Sequence, residues 1–193
     1  MSRLTLLTAL VSTSTLVLAG APTSQQAAAF EAKMNAVLAR GETRPTGYQT
    51  EFAGDEVNAY LQLRLTAKFP TGVTEPSVSL LDQGRLNGRA VVDLDGIRRK
   101  SSGGWFDPAA YLGGKLPMTA SGTLKTADGK GQFLLESAEV SGVPIPKSLL
   151  QEVVAYYTRS PDMPNGVNLD APFDLPSQIQ RIDVVTDKAT VVQ

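Results

Sequence analysis

Leu86-Asn87-Gly88-Arg89-Ala90-Val91-Val92-Asp93-Leu94-Asp95 alternates with period two. Leu86, Gly88, Ala90, Val92 and Leu94 fall on one face, and Asn87, Arg89, Val91, Asp93 and Asp95 on the other. That is the pattern of a half-buried strand in an antiparallel sheet. Upstream, Asp82-Gln83-Gly84 reads as a turn, with Val78 and Leu80 as a short partner strand. Downstream, Leu116, Met118, Ala120, Gly122 and Leu124 resume the alternation, and Asp128-Gly129-Lys130-Gly131 turns the chain. Phe133 and Leu135 begin the return strand, but its apolar phase then slips to Ala138 and Val140. One extra residue near Ser137 predicts a bulge.

Helical periodicity brackets this run of strands. Thr23-Ser24-Gln25-Gln26 opens the first helix as a capping box. Ala27, Phe30, Met34, Val37 and Leu38 form its apolar stripe, and Gly41 is expected as its terminator. A short strand follows over Tyr48, Thr50 and Phe52. Gly54-Asp55 caps a second helix with Val57, Tyr60, Leu61 and Leu65 on one side, closed by Pro70. Val143-Pro144-Ile145-Pro146 is expected to break the sheet before a third helix opening at Lys147-Ser148, whose apolar residues are Leu149, Leu150, Val153, Val154 and Tyr157. A Pro-rich link runs to Pro176. Ile179, Ile182 and Val184 then make a strand, and Ala189 and Val191 its partner across Thr186-Asp187-Lys188. Segregated helices and antiparallel hairpins give an α+β fold.

The inferred core faces carry small residues, Gly88 and Ala90 on one strand, Ala120 and Gly122 on another. Small residues let something approach the backbone closely. Two occupants fit such a cradle, a helix alone or a helix together with an apolar ligand.

The N-terminus points to export. Met1-Ser2-Arg3 precedes an apolar run from Leu4 to Ala19, with small-residue cleavage sites between Ala19 and Ala21. The run is shorter than the ~20 residues that a bilayer core requires, so residues 1–21 are expected to be a cleaved signal peptide. With no cysteine there is no acceptor for lipoprotein acylation. The expected location is periplasmic or secreted. Residues 22–46 form an N-terminal helix and linker, and residues 47–193 a single α+β domain. With no disulfides, that fold rests on burial alone, and a mature chain of about 170 residues buries roughly 70% of its unfolded surface. Arg3 is the one charge lost on cleavage, which leaves a slight acidic excess over the whole-chain balance of 18 basic and 19 acidic residues. A nucleic-acid partner, which calls for a basic excess, is not expected.

The chain has no His and no Cys. That removes the commonest general base, the usual zinc and haem ligands, and the thiol nucleophile. Asp93 and Asp95 share a strand face near a turn, as a carboxylate-dependent hydrolase would need, but they lie on the polar face opposite Leu94 and are read as a solvated strand face, since charged residues are mostly exposed. No catalysis, cofactor or metal is expected. The stretch from Arg98 to Pro108, basic and rich in Ser and Gly, is expected to be a loop. Trp105 and Phe106 beside Arg99 and Lys100 suit a headgroup–acyl boundary. Anchoring of Trp105 onto the core explains the same residues equally well.

Phe52-Ala53-Gly54-Asp55-Glu56-Val57-Asn58-Ala59-Tyr60-Leu61 resembles the strand and E-I/V-N-x-Y-L helix of small bacterial periplasmic proteins of the TULIP (tubular lipid-binding) type. Val140-Ser141-Gly142-Val143-Pro144-Ile145-Pro146-Lys147-Ser148-Leu149-Leu150 is similar to their V-x-G-x-P-I/V-P-x-x-L-L link into a helix, and Ile179, Ile182 and Val184 to their closing strand. The likeness runs in order from about Tyr48 to Val192, through short motifs of common residues. The helix before Gly41 has no counterpart in it, and the lipobox Cys is missing. The resemblance implies a curved antiparallel sheet wrapped around one or two helices, with an apolar groove for acyl chains. Tyr60, Leu61, Leu65, Met118, Leu149, Val153 and Tyr157 are the expected groove residues. Trp105 and Phe106 would stand at its mouth, and Arg99 and Lys100 at an anionic headgroup. Expected partners are a lipid or other apolar small molecule and the membrane surface. The alternative is a cell-envelope assembly factor that binds a protein partner and carries no lipid.

Overall fold

The computed structural model describes residues 21–43, 47–70, 72–93, 114–161 and 163–193. The expected signal peptide thus lies outside the described residues, apart from Ala21. The first helix, α1 (Ser24–Gly41), begins as its sequence requires. The Thr23 hydroxyl accepts from the Gln26 N–H at 3.2 Å, and Gln26 Oε1 accepts from the Thr23 N–H at 2.9 Å. Gly41 is not the left-handed terminator expected of it. It is the last helical residue, with Glu42 as C-cap. A Cβ on Gly41 would lie 2.5 Å from Ser177 O, so glycine is needed there for close approach of backbone to backbone.

Strand β1 (Gln49–Ala53) leads directly into α2 (Gly54–Leu63). The Glu56 carboxylate accepts from the Ala53 N–H at 3.1 Å and caps the helix. The helix ends two residues before Leu65, which instead heads a 3-10 turn over Thr66–Lys68. Helices α1 and α2 lie side by side. Phe30 stacks on Tyr60 with centroids 4.5 Å apart, Lys33 Nζ reaches Glu56 Oε2 at 2.6 Å, and Gln26 Nε2 donates to Asp55 Oδ2 at 2.6 Å.

Two sheets follow. The larger has the order β2 (Val73–Leu80), β3 (Arg85–Asp93), β4 (Lys115–Ala127), β5 (Lys130–Val140), β6 (Val143–Pro144), with β7 (Phe173–Asp174) also on β5. Every pairing is antiparallel, and the sheet is open and curved. The smaller sheet has the order β1, β9 (Lys188–Val192), β8 (Arg181–Val185). With α1, α2 and α3 (Lys147–Thr158) among the described residues, the fold is α+β, as the sequence predicts.

Several sequence details translate directly. Asp128 and Gly129 both have positive φ, which a two-residue type I′ hairpin demands. The register between β4 and β5 steps from Ser121↔Ser137 to Gly122↔Leu135, so Glu136 is the extra residue of the predicted bulge. Others differ. Strand β2 runs over eight residues rather than a short span around Val78 and Leu80. Val143 and Pro144 do not break the sheet. They return through a turn at Ser141 and Gly142, again at positive φ, to pair with β5 as β6.

The main core lies between α1 and the smaller sheet. Val37, Phe52, Leu175, Ile179 and Val191 are buried together, with Phe30, Met34, Val57 and Ile182 packed on them. Leu38, read from the sequence as part of the α1 stripe, is exposed. Side-chain hydrogen bonds tie the core to the larger sheet. Asn58 Nδ2 donates to Val78 O at 2.8 Å, and Asn58 Oδ1 accepts from the Val78 N–H at 2.7 Å. The amide thus closes the outer edge of β2 as a neighbouring strand would. Thr126 does the same for Ile182, donating to its carbonyl and accepting from its N–H, both at 2.8 Å. Asn58→Ala leaves both Val78 groups without their partners, so about 2 kcal/mol of stability should be lost. Urea titration of that variant against wild type measures it.

Candidate functional site

The register of the large sheet sorts its residues into two opposed surfaces. On one, Val78, Gly88, Ala120 and Ala138 form a row across β2, β3, β4 and β5. The next rows are Leu80–Leu86–Gly122–Leu135 on one side and Ala90–Met118–Val140 on the other. This apolar surface is where the small residues of the sequence meet.

Its two central glycines differ. A Cβ on Gly122 would lie 2.5 Å from Leu134 O and 2.5 Å from the Phe133 ring, so that position is already filled. A Cβ on Gly88 would meet, among the described residues, only Ala120 O at 3.8 Å. Over Gly88 the surface therefore has room for more atoms. Met118 is half-buried beside it.

Helix α3 meets the large sheet chiefly at β5. One flank is held by the link that follows it. Thr158 Oγ1 accepts from the Val167 N–H at 2.7 Å, Gln151 Oε1 accepts from the Leu169 N–H at 2.7 Å, and Lys147 pairs with Asp170. A Cβ on Gly166 would overlap Ala155 O, so glycine is again required for close approach. Leu150 and Val154 are half-buried, whereas Leu149 is 50% exposed.

The structure places the expected site residues unevenly. Met118 lies on the small-residue surface. Leu61 is half-buried in α2, and Leu65 lies beyond the end of that helix. The ring of Tyr60 stacks against Phe30, in the packing between α1 and α2. Leu149 is on α3, as are Val153 and Tyr157, whose side chains fall outside the described residues. Arg99, Lys100, Trp105 and Phe106 fall outside the described residues too, as does Asp95. Asp93 is the last residue of β3. Among the described residues no group of three or more His, Cys, Asp or Glu could hold a metal ion, and no helix is long and apolar enough to cross a membrane.

The opposite surface of the same four strands holds a groove that sequence reading missed. Its volume is about 500 Å³, and its lining is polar. Two rows of four side chains form it, Ser77–Arg89–Thr119–Glu139 and Ser79–Asn87–Ser121–Ser137. The signal was available as the second phase of the period-two pattern. Short hydroxyl and amide side chains, in place of long ones, leave the hollow between the rows. At the far end of β5, Lys130 Nζ lies 2.7 Å from Asp174 Oδ1, and its hydrogen bond and charge hold the Asp174 carboxyl below its ordinary range.

No protein-family model matches the chain, and no curated protein matches it at a significant level. Among solved structures the chain is similar to one described as the crystal structure of lipopolysaccharide binding protein, at 16% identity and a TM-score of 0.24. That likeness covers 75% of this chain and 39% of the other, so the chain spans well under half the length of that protein. A likeness of this size does not establish a common fold.

Proposed function

We propose that the protein binds a lipid or another apolar ligand in the cell envelope, without catalysis, on the small-residue surface between the large sheet and α3. The observation that carries this reading is the room over Gly88, on a surface whose other central glycine is already filled. An acyl chain laid across Gly88, Ala120 and Ala138 would bury its methylenes against backbone and Cβ atoms, at about 0.8 kcal/mol for each CH₂ removed from water. Helix α3 meets β5, the strand that carries Ala138 at one end of that path, and the TULIP-type motifs at Glu56–Leu61 and Val140–Leu150 agree with such a use. The expected signal peptide supports an envelope location, and the absence of His and Cys supports binding in place of turnover.

Gly88→Phe tests this reading. The phenyl ring would occupy the space that the ligand needs. Uptake of a fluorescent fatty acid should weaken at least about tenfold, equivalent to 1.4 kcal/mol. Stability should hold or rise by roughly 0.5–1 kcal/mol, because glycine inside a strand is itself unfavourable. Equal uptake by a folded Gly88→Phe would contradict the site.

A second reading has its own observation. Val143, on β6, is 67% exposed and Leu149, at the start of α3, 50%. An envelope protein that covers them would make this an assembly factor. Gly88→Phe separates the two readings, since it should leave retention of such a partner on immobilised protein unchanged while it weakens fatty-acid uptake.

A further inference from the structure

The polar groove faces away from the apolar surface, and what it binds does not depend on the lipid reading. Its two rows are built almost wholly of short hydroxyl and amide side chains. Two lining residues carry formal charge, Arg89 and Glu139, and they have opposite signs. They flank Thr119 in a single row, Arg89 on β3 and Glu139 on β5. Two strand spacings separate them, about 10 Å between Cα atoms. The two are not paired with each other, and neither side chain pairs with another described residue. Ser121 and Ser137 bond to each other at 2.7 Å. Ser77, Ser79, Asn87 and Thr119 leave their donors and acceptors turned to the hollow.

A ligand that complements this floor has an anionic group at its β3 end, a cationic group at its β5 end, two strand spacings on, and hydrogen-bonding groups between. Three extended residues of peptide span about 10 Å. We propose that this groove is a binding site for a short zwitterionic peptide of about three residues. The peptide carboxylate lies at the Arg89 guanidinium, which is suited to a carboxylate by its planar fork of donors. Its ammonium lies at the Glu139 carboxylate, and its amides lie over Thr119, Asn87 and Ser121. A neutral glycan would use the hydroxyl rows equally well but would leave both charges unanswered.

The test is a titration of the protein with trialanine, followed in the amide NMR spectrum. The controls are trialanine amide, which keeps only the cation, and N-acetyl-trialanine amide, which has no charge. At about 20 mM, as suits a site of millimolar affinity, trialanine should shift the amides of Asn87, Thr119 and Ser121. Each charge removed from the peptide should weaken binding about fivefold, the upper range for exposed ion pairs. In Arg89→Gln, trialanine and its amide should bind alike. In Glu139→Gln, trialanine amide and N-acetyl-trialanine amide should bind alike. Both substitutions lie on the exposed strand face and leave the core untouched. Equal binding of charged and uncharged peptides to wild type would overturn the proposal. So would shifts confined to other parts of the protein, or no shifts at all.

Discussion

Phe52→Ala should lower the free energy of unfolding by about 3–5 kcal/mol. Phe52 is 3% exposed, packs with Val37, Leu175, Ile179 and Val191, and meets the Phe30 ring at 5.0 Å between centroids. Removal of the ring leaves a cavity at the one place where α1, β1, the link before β8, and β9 all converge. A domain of this kind has about 5–15 kcal/mol in hand, so the variant should unfold at much lower urea. Leu149→Ala is the matched control. Leu149 is half exposed, and its loss should change stability by no more than about 0.5 kcal/mol. A mild Phe52→Ala beside a severe Leu149→Ala would place the core elsewhere.

Gln193→Ala should cost about 2–4 kcal/mol, summed over partners that lose a buried hydrogen bond. Gln193 is only 2% exposed. Its Nε2 donates to Val37 O and Ser177 O, both at 2.8 Å, and its Oε1 accepts from Arg40 Nε at 3.3 Å. One amide therefore joins the end of α1 to the link before β8. Its backbone pairs both ways with Tyr48, and that pairing survives the substitution, so thermal unfolding of the variant reports the side chain alone. Gln193→Glu should lose nearly as much, since a carboxylate cannot donate to the two carbonyls. A neutral result for both variants would mean that the joint is redundant.

What the sequence disclosed was local. The capping box at Thr23 and Gln26, the alternation from Leu86 to Asp93, the Asp128-Gly129 turn and the slipped phase that marks Glu136 all follow from neighbouring residues. What it withheld depends on distant pairing. Nothing near Gln49 says that β1 lies against β9, across most of the chain. For the same reason α1, which the family motifs do not include, was not legible as the helix that carries the main core. Asn58 could be read as a motif letter, but its bridge to Val78 needs the two elements already side by side. The small-residue surface was visible because Gly88, Ala90, Ala120 and Gly122 stand out in single strands. The polar groove was not. Ser, Thr and Asn on a strand read as solvated positions until the register stacks six of them, with Arg89 and Glu139, into two rows.

The central claim is that the space over Gly88 holds an apolar ligand. Purification of the protein from cells, extraction with organic solvent and mass spectrometry of the extract test it most directly. The account predicts a lipid species at near one equivalent in wild type and its absence from Gly88→Phe. Wild-type protein free of lipid at every purification, or the same lipid retained by Gly88→Phe, would contradict it.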